Sequence, residues 1–321
     1  MKLLFLRGQV PSDRPASQIT FNNLSDCDDM WTQLAYALLD KNDNGEIWYE
    51  KGNRVTRYTY NFVERWVSRY RDVSADFKPD IVFARGGFPF QLAEAERHSS
   101  AFKVYYGAGE RVVPKRGQCW DLVLTDTLKQ RDTARQRGYR ADMFIKPAAD
   151  NIFRPTTNIT KPEFDVIYAA NWNANANKGH RYLLPALSNF SVISLGRFRK
   201  GWVGKYPNVS FRGWQPRKVL PHSYALAKVA VIYTVGKDSC PRVIPEALAC
   251  NCPILVGSST KLWFDRYVTP ETGLMFSKTN FVDKLNELLA SYKSYTPRQY
   301  YENNLSIPCA AKHLLALMNA D

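Results

Sequence analysis

The sequence predicts an α/β protein of two doubly wound domains, and three observations carry that reading. Strand-sized apolar runs alternate with helix-sized runs from end to end, the pattern of parallel sheets covered by helices on both faces. The chain's 321 residues suffice for two cores, at about 150 residues per core. A polar segment with two prolines, Phe153 to Pro162, separates the two series and reads as a hinge. With 45% hydrophobic and 13% aromatic residues the chain belongs with globular rather than disordered sequences.

Taken in order, the first series gives strands over Leu3–Leu6, Asp80–Ala84, Lys103–Tyr106, Leu122–Leu124 and Met143–Lys146. Between them, helices are expected over Asp29–Leu39, Tyr60–Tyr70, Phe90–Arg97 and Thr127–Arg137. In the second series VAVIY and PILVG read as buried parallel strands, and PRVIPEALAC as the helix between them. Ala310–Asn319 has helical spacing. The expected domains are therefore 1–155 and 156–305, followed by a terminal helix over 306–321.

Composition excludes several classes. No run approaches the roughly 18 apolar residues of a membrane span, and MKLLFLRGQVPSD turns polar too soon for a signal peptide. The six cysteines (Cys27, Cys119, Cys240, Cys250, Cys252, Cys309) form no C-x2-C pair, so no structural zinc is expected and they read as reduced intracellular thiols. The expected location is the cytoplasm, at a membrane surface or on nucleic acid if charge directs it there.

That charge is uneven. The net charge is +14; residues 1–150 hold 23 basic and 20 acidic side chains, and the remainder 21 and 10. Val166 to Lys237 contains eleven Lys or Arg and no Asp or Glu. Within it, Arg197, Arg199, Lys200 and Lys205 are interleaved with Phe198, Trp202 and Tyr206. Such a pattern suits a polyanion: a nucleic-acid backbone, or an anionic membrane where Trp and Tyr sit at the headgroups. The plainer reading is a solvated basic face that serves only solubility.

The densest motif is VIYTVGKDSCPRVIPEALACNCPIL, which sets Asp238 and Glu246 eight residues apart around the start of a helix. Pro241 and Pro245 suit a first helical turn, and the amides of Arg242, Val243 and Ile244 would form an anion site there, fit for a diphosphate. The same spacing also describes an Asp helix cap followed by a solvated Glu.

These residues resemble the retaining nucleotide-sugar glycosyltransferases of the family-4 type, which have the two-domain GT-B fold and an E-x7-E signature. The resemblance runs from about Lys78 onward and rests on the order of several segments. WDLVLTDTLKQRDTARQRGYRADMFIKPAADNIFRP is similar to the end of the acceptor domain, and DVIYAANWNANANKGHRYLLPAL to the opening of the donor domain with its Lys178–Gly179 pair. VSFRGW, QPRKVLPHSYALAKVAVIY, DSCPRVIPEALACNCPI and ETGLMF follow as in the family. Two positions depart from it: Asp238 stands where the family has Glu, and Asn173 where it has Arg.

The resemblance implies two Rossmann-like domains facing across a cleft, with the terminal helix crossing back to the first. It implies transfer of a hexose or pentose, with retention, from a nucleoside-diphosphate sugar to an acceptor hydroxyl, without a metal or other cofactor. Glu246 would accept hydrogen bonds from the ribose and Asp238 would hold the donor sugar. Lys178 and the helix start, with Cys240, Arg242, Val243 and Ile244, would stabilise the leaving diphosphate. Asn173 and Gly179 would flank it, and Gly213, Trp214 and Gln215 would border the base, although Trp214 would equally suit a core. Arg85, Gly86 and Gly87 in ARGGFPF are acceptor-side candidates, with a plain tight turn as the simpler reading of the glycine pair. His98 and His180 read as surface or capping residues. For the acceptor, the basic segment favours a modified base in DNA, reached by base flipping. A glycolipid or polysaccharide at an anionic membrane is the alternative acceptor. A catalytically silent sugar-nucleotide or polyanion-binding protein is the alternative from another class.

Overall fold

A computed structural model of the chain describes residues 1–7, 30–39, 44–51, 54–59, 65–67, 78–86, 89–107, 113–159, 161–172, 178–235 and 239–320. The chain divides into two compact units, Met1–Ile145 with Ala310–Asp321, and Lys146–Cys309.

The first unit is built on β1 (Lys2–Arg7), β2 (Asn44–Lys51), β3 (Arg54–Thr59), β4 (Arg65–Val67), β5 (Ile81–Arg85), β6 (Phe102–Tyr106), β7 (Leu122–Thr125) and β8 (Ala141–Met143), in the order β4-β3-β2-β1-β5-β6-β7-β8. The pairs from β2 through β1 to β8 are parallel, and β3 and β4 add antiparallel. The central strands are apolar because both faces are covered. Leu4, Leu6, Val82 and Ala84 pack on one face with Ala95 of α2 (Pro89–Arg97) and Ala134 of α3 (Leu128–Gln136). On the other, Phe5 stacks on Phe83 at 4.6 Å, and Trp31 of α1 (Met30–Ala37) stacks on Phe144 at 5.3 Å. Thr127 caps α3, its hydroxyl accepting from the Gln130 amide at 3.3 Å.

Of the helix expected over Tyr60–Tyr70, the described residues Arg65–Val67 instead form the strand β4, and the rest lies outside the described residues. The β2–β3 hairpin was not anticipated either, although its signal is in the sequence. EIWYE and RVTRYT are rich in β-branched and aromatic residues, and Gly52-Asn53 stands between the paired Lys51 and Arg54. The strand expected over Met143–Lys146 is instead β8, Ala141–Met143; the Phe144 amide still donates to Thr125 O at 2.8 Å, but the Lys146 amide leaves the ladder and donates to the Tyr267 hydroxyl at 2.7 Å.

The second unit is a parallel sheet of β9 (Phe164–Ala169), β10 (Val192–Leu195), β11 (Val209–Gly213), β12 (Ala227–Ile232), β13 (Ile254–Gly257) and β14 (Gly273–Phe276), in the order β11-β10-β9-β12-β13-β14. Its helices are α4 (His180–Ala186), α5 (Trp202–Lys205), α6 (Leu220–Ala225), α7 (Val243–Ala249), α8 (Phe264–Tyr267), α9 (Phe281–Ser291) and α10 (Pro297–Asn304). Helix α11 (Ile307–Asn319) starts in this unit and ends in the first. No described helix is long and apolar enough to cross a membrane.

The segment expected to hinge the domains is anchored inside the second unit. Phe153 is fully buried, and its carbonyl accepts from Arg298 at 3.2 Å. The Ala148 amide donates to the Tyr301 hydroxyl at 2.9 Å, and the Ile307 amide to Asp150 at 2.8 Å. The division therefore falls at Ile145/Lys146, before the expected boundary at 155. Burial is the dominant influence on the Asp150 carboxyl and raises it above the usual carboxylate range, against hydrogen bonds from Tyr301 and Ile307.

Candidate functional site

Chain direction reverses across the second sheet between β9 and β12: from β9 the chain proceeds to β10 and β11, then returns to the far side of β9 as β12. Such a switch point opens a crevice at the carboxyl ends of the strands, where ligands of open α/β sheets bind. Lys178, Gly179 and His180 lie beyond β9, and Tyr233 just beyond β12. They meet across it: a Cβ added to Gly179 would fall 2.1 Å from Cδ1 of Tyr233. Gly179 has φ +72, so this position needs glycine twice over, for its backbone and for the ring beside it. Lys178 is half-buried, and its carbonyl accepts a hydrogen bond from the buried Tyr168 hydroxyl.

The turn into α7 is pinned. Ser239 bridges to Lys261, the Cys240 amide donates to Lys261 O at 2.7 Å, and the Cys240 carbonyl accepts from Lys146 Nζ at 2.8 Å. Cys240 itself is buried at φ +38, a conformation rare for any residue but glycine and held only where its surroundings enforce it. Of the three amides expected to bind an anion, that of Ile244 is engaged, donating to Pro241 O at 3.0 Å in the first turn. Arg242 is exposed at the N-cap, and the Val243 carbonyl accepts from the Tyr224 hydroxyl at 3.4 Å.

Glu246 is not a solvated helix charge. It is 6% exposed, and its Oε1 lies 3.6 Å from Nη2 of Arg217, a residue the motif reading overlooked. Burial raises its carboxyl above the usual range, opposed first by Arg217 and then by Arg242 and Lys146. Arg217 follows the β11 turn of Gly213 (φ +68), Trp214 and Gln215, whose Nε2 donates to Arg212 O at 2.6 Å. Trp214 is 59% exposed and so is no core residue. Asn173 and Asp238 lie outside the described residues, as does Gly87.

His180 differs from its expected surface role. It is 2% exposed, stacked on Trp202 at 5.4 Å and set edge-on to Tyr168 at 5.0 Å. Its Nε2 faces Ala170 O at 3.2 Å, while Nδ1 is buried with no hydrogen-bond partner among the described residues. Burial pulls the imidazole down to about 4, so His180 is neutral at physiological pH. The unfolded chain binds a proton near pH 6.5 and the folded one only near 4, so stability is full above about 6.5 and falls between these values. We expect His180→Phe to flatten the melting temperature against pH across that window, where the wild type loses about 3 kcal/mol at about 1.4 per unit. A variant curve parallel to wild type would refute this. His98 is half-buried, its Nε2 3.0 Å from Glu94 Oε1.

The basic segment splits by side chain. Arg197, Arg199, Lys200 and Lys205 are exposed, whereas Phe198, Trp202 and Tyr206 are half-buried and turned inward. Phe198 packs on Phe211 at 4.8 Å, Trp202 on His180, and Arg199 lies 5.3 Å over Trp172. The interleaved aromatics are thus partly taken up by packing, while Arg197, Arg199, Lys200 and Lys205 face outward together with Val203. In the first unit, Arg85 lies 4.9 Å over Trp31, and the Gly86 amide (φ +143) donates to Tyr106 O at 3.1 Å. Beside them the Tyr106 hydroxyl donates to the buried Asp126 carboxylate at 2.6 Å, a pair that no sequence motif marked. Among the described residues no cluster of three or more His, Cys, Asp or Glu is placed to hold a metal.

Comparison of the whole chain with solved structures decides the architecture. The Anabaena HepE complex with UDP and glucose aligns over 100% of both chains at a TM-score of 0.65 and 12% identity. The chain has the GT-B fold. Sucrose-phosphate synthase from Thermosynechococcus elongatus aligns over 98% of both chains at 0.70 and 12% identity. A glycosyltransferase from Rickettsia africae covers 99% of this GT-B chain and 97% of its own at 0.69 and 13%. No protein-family model and no curated sequence matches the chain.

Proposed function

We propose that this GT-B protein transfers a sugar, with retention, from a uridine-diphosphate donor to an acceptor hydroxyl. The observation that carries the reading is the buried carboxylate of Glu246, on the helix α7 that follows the switch-point strand β12, with Arg217 from the β11 connection set against it. A solvated charge needs no such burial, and a carboxylate there is suited to accept both hydroxyls of a ribose. Lys178, and Asp238 with Asn173 beyond the described residues, complete the donor side; the leaving diphosphate needs a positive environment as its charge grows. The HepE structures, solved with UDP and with UDP-glucose, make uridine the nucleotide to try first.

For the acceptor we favour a modified base in DNA, supported by the exposed Arg197, Arg199, Lys200 and Lys205 in a segment free of acids. A glycolipid or polysaccharide acceptor is the second reading; it is favoured by likeness to the lipopolysaccharide outer-core galactosyltransferase WaaB, at a TM-score of 0.62 and 13% identity.

Thermal stabilisation against a panel of nucleoside diphosphates and their sugars tests the donor. UDP at about 100 times its dissociation constant should add about 2.7 kcal/mol, and no shift with any nucleotide would remove the donor site and leave only polyanion binding by the basic face. Duplex DNA binding that falls steeply with salt supports the DNA acceptor. Flotation only with anionic liposomes supports the lipid one.

A further inference from the structure

Arg217 reaches Glu246 from a separate part of the sheet. It opens a 3-10 turn, Arg217–Val219, that the Val219 amide closes on Pro216 O at 2.9 Å. Pro216, at φ −58, fixes the entry to that turn. The guanidinium therefore projects from the connection after β11 onto α7, which follows β12. Its side chain is 20% exposed and that of Glu246 7%. Both are held where water competes weakly, so charge and geometry matter more than in a surface pair.

On the donor-site reading above, we propose that Arg217 is a positioning residue: it keeps the buried Glu246 side chain an oriented carboxylate, able to accept the vicinal hydroxyls of the donor's ribose. The protonated acid would donate one hydrogen and accept poorly, whereas the carboxylate accepts at both oxygens. Burial drives Glu246 towards the acid, and Arg217 is the largest influence against it. The other groups around Glu246 do less. Arg242 at the N-cap and Lys146 oppose its protonation more weakly, and Lys146 also holds Cys240 O. Tyr224 on α6 and Cys250 at the end of α7 face it as neutral groups, both shifted well above their ordinary values by burial. On α10, which packs on α7, Arg298 is bound to Ala249 O at 2.8 Å and to Glu302 at 2.7 Å. On β12, Lys228 pairs with Asp165 at 2.7 Å.

The test is the affinity of the intact protein for UDP, by titration calorimetry from about pH 5 to about pH 8.5, for wild type, Arg217→Met and Arg217→Lys. We expect Arg217→Met to lose about 10-fold at the alkaline end and about 100-fold at the acid end, the range of one to two charge-assisted hydrogen bonds. Its acid limb moves to higher pH, whereas Arg217→Lys restores the wild-type profile even at lower affinity. In turnover, KM for the UDP-sugar rises while kcat changes little. Lost packing alone would weaken binding equally at every pH and would not be rescued by Lys. Parallel pH curves for wild type and Arg217→Met therefore overturn this inference alone. If UDP does not bind even the wild type at any pH, the donor-site reading falls and takes this inference with it. Chemical unfolding of each variant confirms that the comparison is between folded proteins, and Arg217→Gln replaces Met if that variant fails.

Discussion

Gly179→Ala should destabilise the second unit by about 2–5 kcal/mol and remove UDP binding. Two costs add. The alanine would have to hold φ +72, at about 1–2 kcal/mol for an L-residue in the left-handed region. Its Cβ would also sit 2.1 Å from Cδ1 and 2.8 Å from Cε1 of Tyr233, a clash of about 1–3 kcal/mol if the core shifts to absorb it. The ring has no easy retreat. On its other side a Cβ at Gly257 would approach Cδ2 to 2.4 Å, and Tyr182 and Phe276 pack on it at 5.4 and 5.8 Å. Yielding would drag Lys178 and the start of α4 away from the β12 end of the sheet. Gly138→Ala is the control, because Gly138 has φ +88 with open space around it. Urea unfolding of the two variants separates backbone strain from the ring clash, and equal losses would show that Tyr233 gives way freely.

The fold was legible where pattern and burial coincide. KLLFLR, IVFAR and LVLT are continuous apolar runs because each is a central strand covered on both faces, and β1, β5 and β7 stand where the sequence put them. The β2–β3 hairpin escaped because its residues mix charge with β-formers, and the run from Tyr60 reads as helical on spacing alone. At the site, Glu246 and the Lys178–Gly179 pair were visible as motif residues, since their role is carried by local spacing around a strand-turn-helix unit. Arg217, Tyr233 and Lys146 were not. Each acts through a contact made by folding: Arg217 from the β11 connection, Tyr233 across the switch point, and Lys146 onto a carbonyl 94 residues away. His180 was misjudged for a related reason, and so was the packing of the aromatics in the basic segment. Composition shows that a residue is aromatic or titratable, but only packing shows whether Trp202 faces a partner or the His180 ring.

Glu246→Gln should cut donor affinity and kcat/KM by about 100-fold or more while leaving the free protein as stable as wild type or more so at neutral pH. The first half follows from exchanging a carboxylate that accepts at two oxygens for an amide that accepts at one, at about 1.5–3 kcal/mol for each hydrogen bond to a charged group. The second half follows from linkage. Folding raises the Glu246 carboxyl above its ordinary range, because desolvation outweighs Arg217, Arg242 and Lys146 together. A raised carboxyl favours the folded state at low pH, and that advantage is lost as pH rises through its folded value. Above its folded value the wild type therefore carries an ionised group that burial disfavours, and glutamine of the same shape does not. The difference in melting temperature, variant minus wild type, should grow as pH rises through that value and shrink as pH falls back towards the ordinary carboxylate range. Burial that costs stability is expected of a group kept for a ligand, whereas one kept for the fold should stabilise it. A Glu246→Gln protein that binds UDP as tightly as wild type would strip Glu246 of its donor role, and a large loss of stability at neutral pH would recast the Arg217–Glu246 pair as a structural bridge.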